Sequence, residues 1–149
     1  MAAKLNSFGM ALVLLLMVVV LTILQPRYFL TLGNLTNVAR QISVNALLAL
    51  GEFLVILTAG IDLSVGSVMA LSMVSLALLT HSGVPAGLSL LAALGIGLAC
   101  GLLNGWGLTV LRLPHPFIAT LAMLNIARGA TYLLSNGVPI SDLPPVARF

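Results

Sequence analysis

Polar side chains that can form strong hydrogen bonds stand singly inside long apolar segments of this chain. They comprise two carboxylates, one guanidinium, three carboxamides and one hydroxyl: Asn45, Glu52, Asp62, Ser64, Asn104, Asn125 and Arg128. A charged or strongly polar group is costly inside an apolar segment, so each is a candidate for a functional role. Together such groups can donate to and accept from the hydroxyls of a solute. The set predicts a polar lining along a solute path.

Asp62 and Ser64 belong to the stretch Ala59–Ser67, in which two glycines, an aspartate and two serines interrupt apolar sequence. A structural explanation is that Asp62 or Ser64 accepts hydrogen bonds from the free N–H groups of the next helix, whose positive end also favours a carboxylate. The functional explanation is a broken helix beside a water-filled cavity, where irregular backbone is tolerated within a membrane.

The other polar residues also have structural alternatives. Glu52 can pair with Arg40 or Arg128, or it can lie near the membrane face and extend its carboxylate to water. Arg128 follows Asn125 by about one helical turn, so the two share a face that either lines a path or clamps a neighbouring helix. Hydrogen bonds between helices are the structural alternative for the remaining carboxamides, Asn45 and Asn104.

No arrangement of residues predicts catalysis. The chain has no G-x-x-x-x-G-K-[ST] phosphate loop, and its sole lysine is Lys4. Neither H-E-x-x-H nor G-x-S-x-G occurs, so the metalloprotease and serine hydrolase motifs are absent. The single cysteine, Cys100, stands in an apolar run with no metal-binding neighbours in sequence. We therefore predict neither enzyme activity nor a metal or other cofactor, and any ATP hydrolysis must come from a partner.

The composition predicts a membrane protein. Of 149 residues, 60% are hydrophobic and only 6% are charged, and the mean hydropathy is +1.20. A soluble domain carries about 25% charged residues, so the apolar surface here must face lipid. The net charge is +3, but the six basic residues are scattered. They form no stripe that would follow a nucleic-acid backbone, and no nucleic-acid partner is expected.

Five apolar segments separated by glycine and proline turns predict an all-α fold, a polytopic transmembrane helix bundle that spans residues 1–149 as one domain. A Gly33-Asn34 turn is expected between the first two segments, with Asn34 or Thr36 capping the next helix. Gly97, Gly101 and Gly105 form two overlapping G-x-x-x-G patterns, which predict close helix packing. The predicted spans are residues 8–24, 42–58, 65–80, 86–110 and 117–134.

Several stretches resemble the inner-membrane permeases of bacterial ABC importers for simple sugars, the family of ribose, xylose, arabinose and galactose permeases. The most specific is Gly60–Ser67, read Gly-Ile-Asp-Leu-Ser-Val-Gly-Ser; Gly101–Gly105 and Pro116–Leu121 continuing to Ile126–Gly129 agree with it. The segment Ser43–Ser67 is most similar to the ribose permease. Glu52-Phe53 departs from the Met-Thr-like pair usual in the family, which weakens inferences about the second span.

The resemblance implies a subunit of the bacterial inner membrane with a cytoplasmic amino terminus. It also implies partners: a cytoplasmic ABC ATPase, a periplasmic sugar-binding protein and a second permease copy. The connection Arg112–Pro116 would face the cytoplasm, making Arg112 and His115 candidate ATPase contacts. Family permeases are about twice this length, so the sequence corresponds to about the amino-terminal half of one, and we expect a fragment, truncated product or split subunit.

The function expected from the resemblance is a permease component of an ATP-driven importer of a ribose-type monosaccharide, forming part of the sugar path. Two alternatives remain at this point. The first is an ion-coupled secondary transporter in which Glu52 or Asp62 carries a proton. The second is a non-transporting membrane scaffold that packs through its glycine faces.

Overall fold

The computed structural model describes residues 2–141, with side chains from Phe8 onward; the predicted domain's last residues, 142–149, lie outside this range. Every regular element in the described range is a helix, which confirms the all-α prediction. The chain divides into two compact units, Met1–Ala49 and Leu50–Phe149, with the boundary inside the second helix. The helices are α1 Ala2–Leu24, α2 Leu32–Leu57, α3 Val65–His81, α4 Ala86–Thr109 and α5 Pro116–Ser135.

Three of these helices, α2, α4 and α5, are long and apolar enough to cross a bilayer. The apolar part of α1, Phe8–Leu24, and the 17-residue α3 are shorter apolar helices. A helix of that length extends about 25 Å at 1.5 Å per residue, somewhat less than the ~30 Å hydrocarbon core. Length and composition therefore support a multi-pass membrane protein.

The first unit contains α1, a turn and the first part of α2. The Thr31 side chain begins α2 as an N-cap, because its Oγ1 accepts a 3.2 Å hydrogen bond from the N–H of Asn34. Asn34 in turn donates from Nδ2 to the carbonyl of Phe29 at 2.7 Å. The expected Gly33-Asn34 turn is thus wrong, since both residues lie in the first turn of α2 and Thr31, rather than Asn34 or Thr36, caps it.

The second unit is built on α3, which packs against both α4 and α5. The buried residues of α4 (Ser89, Ala93, Cys100 and Gly107) recur at helical spacing, and those of α5 (Thr120, Met123 and Ala127) do likewise. Nearly all are small, so helix backbones approach closely and van der Waals contact replaces the hydrophobic effect as the main attraction in lipid. Ala127 is fully buried.

The outer surface of α4 is apolar. Leu94, Leu98 and Leu102 follow one another at every fourth residue and are 62%, 65% and 64% exposed. In a water-soluble protein such a stripe would be an aggregation hazard, whereas lipid tails or further apolar helices cover it without cost. The face fits the membrane setting that the composition predicted.

The G-x-x-x-G glycines do not form the main packing seam. A Cβ built on Gly101 or Gly105 would meet no atom within 4 Å, and one on Gly97 would only reach ordinary contact with Ser72 Oγ at 3.8 Å. The close packing expected of Gly101 and Gly105 is therefore not made by the described residues. Both glycines instead border a cavity.

Candidate functional site

An irregular segment, residues 58–64, joins α2 to α3 within the second unit. It turns sharply because the N–H groups of Thr58 and Gly60 both donate to the carbonyl of Val55, at 3.1 and 3.0 Å. Ala59 has φ 57°, a left-handed conformation that costs a non-glycine residue about 1–2 kcal/mol. A Cβ on Gly60 would lie 2.9 Å from Val55 Cγ1 and 3.1 Å from the Val55 carbonyl oxygen. The turn therefore requires glycine at position 60.

Asp62 organises the end of this segment. Its Oδ1 accepts two hydrogen bonds from Ser64, one from the backbone N–H at 2.7 Å and one from the hydroxyl at 2.6 Å. Ser64 is the N-cap residue of α3, but its backbone angles are already helical, with φ −87° and ψ −15°, and its side chain makes no capping bond. The expectation that Asp62 or Ser64 caps the first helical turn through its side chain is wrong. The carboxylate instead folds the two residues that precede α3.

Asn104 of α4 completes a chain of polar groups. Its Nδ2 donates to Ser64 Oγ at 3.1 Å. A serine hydroxyl has one proton, and that of Ser64 goes to Asp62, so its oxygen must accept from its other neighbour. This requirement orients the Asn104 carboxamide with its NH₂ group toward Ser64 and its carbonyl oxygen away. Ser64 is only 1% exposed, so the chain of bonds passes through the protein interior.

Thr120 of α5 holds the same segment from the other side. Its hydroxyl lies 3.1 Å from the carbonyl oxygen of Ile61, and slightly farther from two carbonyls of its own helix, Pro116 at 3.2 Å and Phe117 at 3.4 Å. The segment is therefore hydrogen-bonded to α4 through Ser64 and to α5 through Ile61. Each bond joins the irregular segment to a neighbouring helix.

A cavity of about 250 Å³ lies beside this segment. The small residues on α4 and the irregular backbone leave the space open, while carboxylate, carboxamide and hydroxyl groups supply its polar side. No lysine, arginine or histidine is among its described lining residues. The lining includes Gly60, Asp62, Gly101, Asn104, Gly105 and Thr120. The site can bind a small neutral solute by hydrogen bonds, and it contains no nucleophile–base pair.

The structure brings together only three of the seven predicted path residues: Asp62, Ser64 and Asn104. Arg128 is exposed and lines a second cavity of about 340 Å³ with Tyr132 and Ser135. Asn125 is exposed, and its Nδ2 donates to the carbonyl of Leu121 in the same helix at 2.8 Å.

The two polar residues on α2, Asn45 and Glu52, belong to different units of the chain. Glu52 is half-buried and precedes Val55 by about one turn, but it does not line the first cavity. Within the described part of the chain, Glu52 makes no ion pair with Arg128, so that predicted pairing is absent there. Asn45 is exposed in the first unit. Their contribution to a solute path stays a prediction.

Arg112 and His115 both lie exposed on the connection between α4 and α5. Arg112 has φ 52°, and His115 precedes Pro116 at the first turn of α5. Leu108 and Pro116, on either side of this connection, line the first cavity. The two candidate ATPase contacts thus lie at the end of α4 and α5 where the cavity is found.

Sequence reasoning missed Thr120 and the steric role of Gly60. Thr120 carries a usable signal, because a hydroxyl in an apolar helix must bond either its own backbone or a neighbouring segment. Nothing in the sequence tells which of the two occurs. The close approach at Gly60 depends on the path of a turn that spacing alone does not define.

Comparison with known proteins shows the family of this chain. The family model described as "Branched-chain amino acid transport system / permease component" matches residues 34–146. The ribose import permease protein RbsC of Escherichia coli (strain K12) is 42% identical over 128 residues, which cover 86% of this chain and 39% of the relative. The D-allose transport system permease protein AlsC of the same organism is 40% identical over 132 residues, covering 88% and 40%.

A ribose import permease of Bacillus subtilis (strain 168) is 40% identical over 138 residues, covering 93% of this chain and 42% of the relative. The chain thus spans about two fifths of the length of the curated relatives it matches. No solved structure matches it. The family match extends over most of the chain and includes the irregular segment, the residues that line the cavity, and helices α3, α4 and α5. The chain therefore belongs to the branched-chain amino acid transport system permease family, which includes the sugar-importer permeases.

Proposed function

We propose that this chain is part of the membrane-spanning subunit of an ATP-driven importer of a ribose-type monosaccharide in the bacterial inner membrane. Its family, the transport functions of its relatives and its long apolar helices all support this role. Because the chain spans only about two fifths of those relatives, it supplies one part of the sugar path, and the remaining part comes from the rest of such a subunit.

The observation that carries the proposal is the hydrogen-bonded chain Asp62–Ser64–Asn104 beside a cavity in an apolar bundle. Irregular backbone and a carboxylate are tolerated at membrane depth where they face a protein-lined cavity rather than lipid. Transporters place such interrupted helices at their solute sites. The first cavity is accordingly the proposed sugar-facing surface of this chain.

The proposed mechanism is alternating access without covalent chemistry. A partner ATPase binds and hydrolyses ATP, and the resulting movement rocks two permease copies, opening the path first to the periplasmic sugar-binding protein and then to the cytoplasm. Arg112 and His115 are proposed to contact the ATPase. Their connection adjoins Leu108 and Pro116, which line the cavity, so a displacement of the connection would alter the cavity directly.

Capture of the ATPase and uptake of sugar test this proposal together. The chain would be expressed with the ATPase and binding protein of a bacterial ribose importer, in cells that lack their own ribose permease. The expected result is that the ATPase co-purifies and labelled ribose accumulates in an ATP-dependent manner. Arg112→Ala should reduce ATPase capture, whereas Arg27→Ala, another exposed arginine in a connection, should not.

The contrary outcomes identify the alternatives. Uptake that needs no ATPase and collapses with the proton gradient would indicate a secondary transporter. Membrane insertion without ATPase capture, and uptake that is indifferent to Asp62 and Asn104, would indicate a scaffold. The chain alone could instead insert without capturing the ATPase or importing sugar. If capture and uptake both appeared once the rest of a permease was co-expressed, the result would support the proposal, with the chain as one part of the subunit.

A further inference from the structure

Two oxygen atoms on residues that line the first cavity have no partner once the hydrogen bonds of the site are assigned. Asp62 uses Oδ1 for both of its bonds from Ser64, and Oδ2 has no partner among the described residues. Asn104 donates from Nδ2, and its Oδ1 likewise has none there. Within the described range, every buried side-chain oxygen or nitrogen has a hydrogen-bond partner. Because these two oxygens have no partner, neither of them is buried. Asp62 and Asn104 both line the cavity.

Ser64 fixes the direction of both groups. Its hydroxyl donates to Asp62 Oδ1 and accepts from Asn104 Nδ2, which leaves Asp62 Oδ2, Asn104 Oδ1 and the second N–H of Asn104 available. Both free oxygens are acceptors. A ligand that binds to the two oxygens must therefore supply two donors.

We infer that Asp62 Oδ2 and Asn104 Oδ1 form a paired acceptor subsite for two neighbouring hydroxyls of a neutral polyol, with Ser64 as the positioning residue. This inference rests on the proposed function and specifies the ligand chemistry of the same cavity. The volume of about 250 Å³ lies just below the ~300 Å³ at which drug-sized sites begin, which suits a single small ring.

The charge of the lining residues also contributes to the ligand specificity of the cavity. The lining residues within the described range contribute one carboxylate and no cation. An anionic solute such as a sugar phosphate would therefore face a negative charge that no lining cation compensates. The subsite takes neutral sugars and rejects their phosphorylated forms, and it discriminates against a sugar that lacks one of the two hydroxyls.

Thiol labelling in membranes tests the subsite without requiring transport. The full chain carries Cys100→Ala together with Gly105→Cys, since a Cβ at position 105 meets nothing within 4 Å. Gly95→Cys is the matched control on the same helix, equally free of close contacts and outside the cavity lining. A water-soluble thiosulfonate reagent should label position 105 much faster than position 95, and ribose should slow only the former.

Three further probes address the acceptor pair. Compared with ribose, 2-deoxyribose should protect the cysteine at position 105 from labelling about tenfold less well, because it lacks one hydroxyl donor. Ribose 5-phosphate should not protect this cysteine. Asp62→Asn retains an Oδ1 that can accept from Ser64 but replaces the free acceptor with a donor. It should weaken protection by ribose about threefold to tenfold, measured against the labelling rate of the same variant without sugar.

Each alternative result is decisive. Equal protection by ribose and 2-deoxyribose would overturn the acceptor pair while leaving the proposed sugar path intact. Labelling without protection by any sugar, in an importer that still takes up ribose, would overturn the subsite alone. Labelling of Gly105→Cys no faster than Gly95→Cys would show that the cavity holds no water, and would remove it from both the subsite and the proposed path.

Discussion

Asn104 on α4 donates a 3.1 Å hydrogen bond to Ser64, which lies 40 residues earlier in the chain. The bond joins the cap of α3 to the carboxyl-terminal part of α4, a neighbouring apolar helix. The buried residues of α4 include small side chains such as Ala93 and Cys100, which pack well but specify direction poorly. A directional bond between helices fixes their register in a way that small-residue packing alone does not.

Asn104→Ala should therefore destabilise the helix packing of the second unit. Interhelix hydrogen bonds in membrane proteins contribute about 0.6 kcal/mol on average and up to about 1.7 kcal/mol, and we expect a loss in that range. The measurement is denaturation by sodium dodecyl sulfate in mixed micelles, followed by the fluorescence of Trp106, the sole tryptophan.

Asn125→Ala is the matched control for this substitution. Asn125 is exposed and donates only to Leu121 in its own helix, so its loss removes no contact between helices and should change stability by less than about 0.5 kcal/mol. Equal effects of the two substitutions would contradict the structural role assigned to Asn104. A double cycle with Ser64→Ala would then give the coupling between the two side chains.

The hydroxyl of Thr120 should matter for a similar reason. Thr120→Val keeps the branched shape and removes the donor to the Ile61 carbonyl. Because two carbonyls of α5 compete for the same proton, we expect Thr120→Val to lower the free energy of unfolding by only about 0.5–1 kcal/mol. The same micelle titration measures it.

Thr131→Val provides the comparison, since Thr131 is half-buried and donates only to Ala127 in its own helix at 2.8 Å. The free energy of unfolding of the Thr131→Val variant should stay within about 0.5 kcal/mol of that of the parent chain. A larger loss at position 131 than at position 120 would mean that the contact with Ile61 contributes nothing.

The irregular segment shows which features of the candidate site could be predicted from the sequence alone. Asp62 and Ser64 were predicted as a polar interruption because their residue types are costly in apolar surroundings, and that signal is local. Asn104 was predicted for the same reason, but its partner could not be named, since a carboxamide on a helix can bond any neighbour that the packing supplies. The helical class followed from composition, while the beginning of α2 at Leu32 depended on a threonine cap that apolar periodicity does not detect.

The glycine face of α4 was misjudged for a related physical reason. A G-x-x-x-G pattern permits close approach but does not require it. Gly101 and Gly105 leave space for a cavity, whereas close contact occurs at Gly107, where a Cβ would lie 3.4 Å from Leu113 Cδ1. Which glycine contacts a neighbour depends on the rotation of the helix, and that rotation is set by tertiary packing.

Gly60 should be the glycine of this region least tolerant of change. In Gly60→Ala the new methyl group would lie 2.9 Å from Val55 Cγ1 and 3.1 Å from the Val55 carbonyl oxygen. The backbone oxygen cannot rotate away, so we expect a loss of about 1–3 kcal/mol from overpacking. Thermal unfolding of the purified chain in detergent would measure the change.

Gly66→Ala tests whether the effect is steric. Gly66 lies in the first turn of α3, and a Cβ there meets nothing within 4 Å. Alanine is a better helix former than glycine, so this variant should be neutral or more stable by up to about 1 kcal/mol. Similar destabilisation by both substitutions would argue that chain flexibility, rather than the contact with Val55, explains the glycine at position 60.

Enlarging Ala127 should disrupt the packing of α5. Ala127 has no exposed surface, and α5 packs directly against α3. Ala127→Leu would force extra methylene groups into a closely packed interior, at a cost of about 1–3 kcal/mol. Ala122→Leu, at an exposed position of the same helix, adds the same volume where lipid can yield. The expected result is a clear drop in thermal stability for position 127 and almost none for position 122. If both variants were equally stable, α5 would have to be able to move away from α3 without loss, and the cavity formed by the irregular segment, α4 and α5 would not be a rigid feature of the permease.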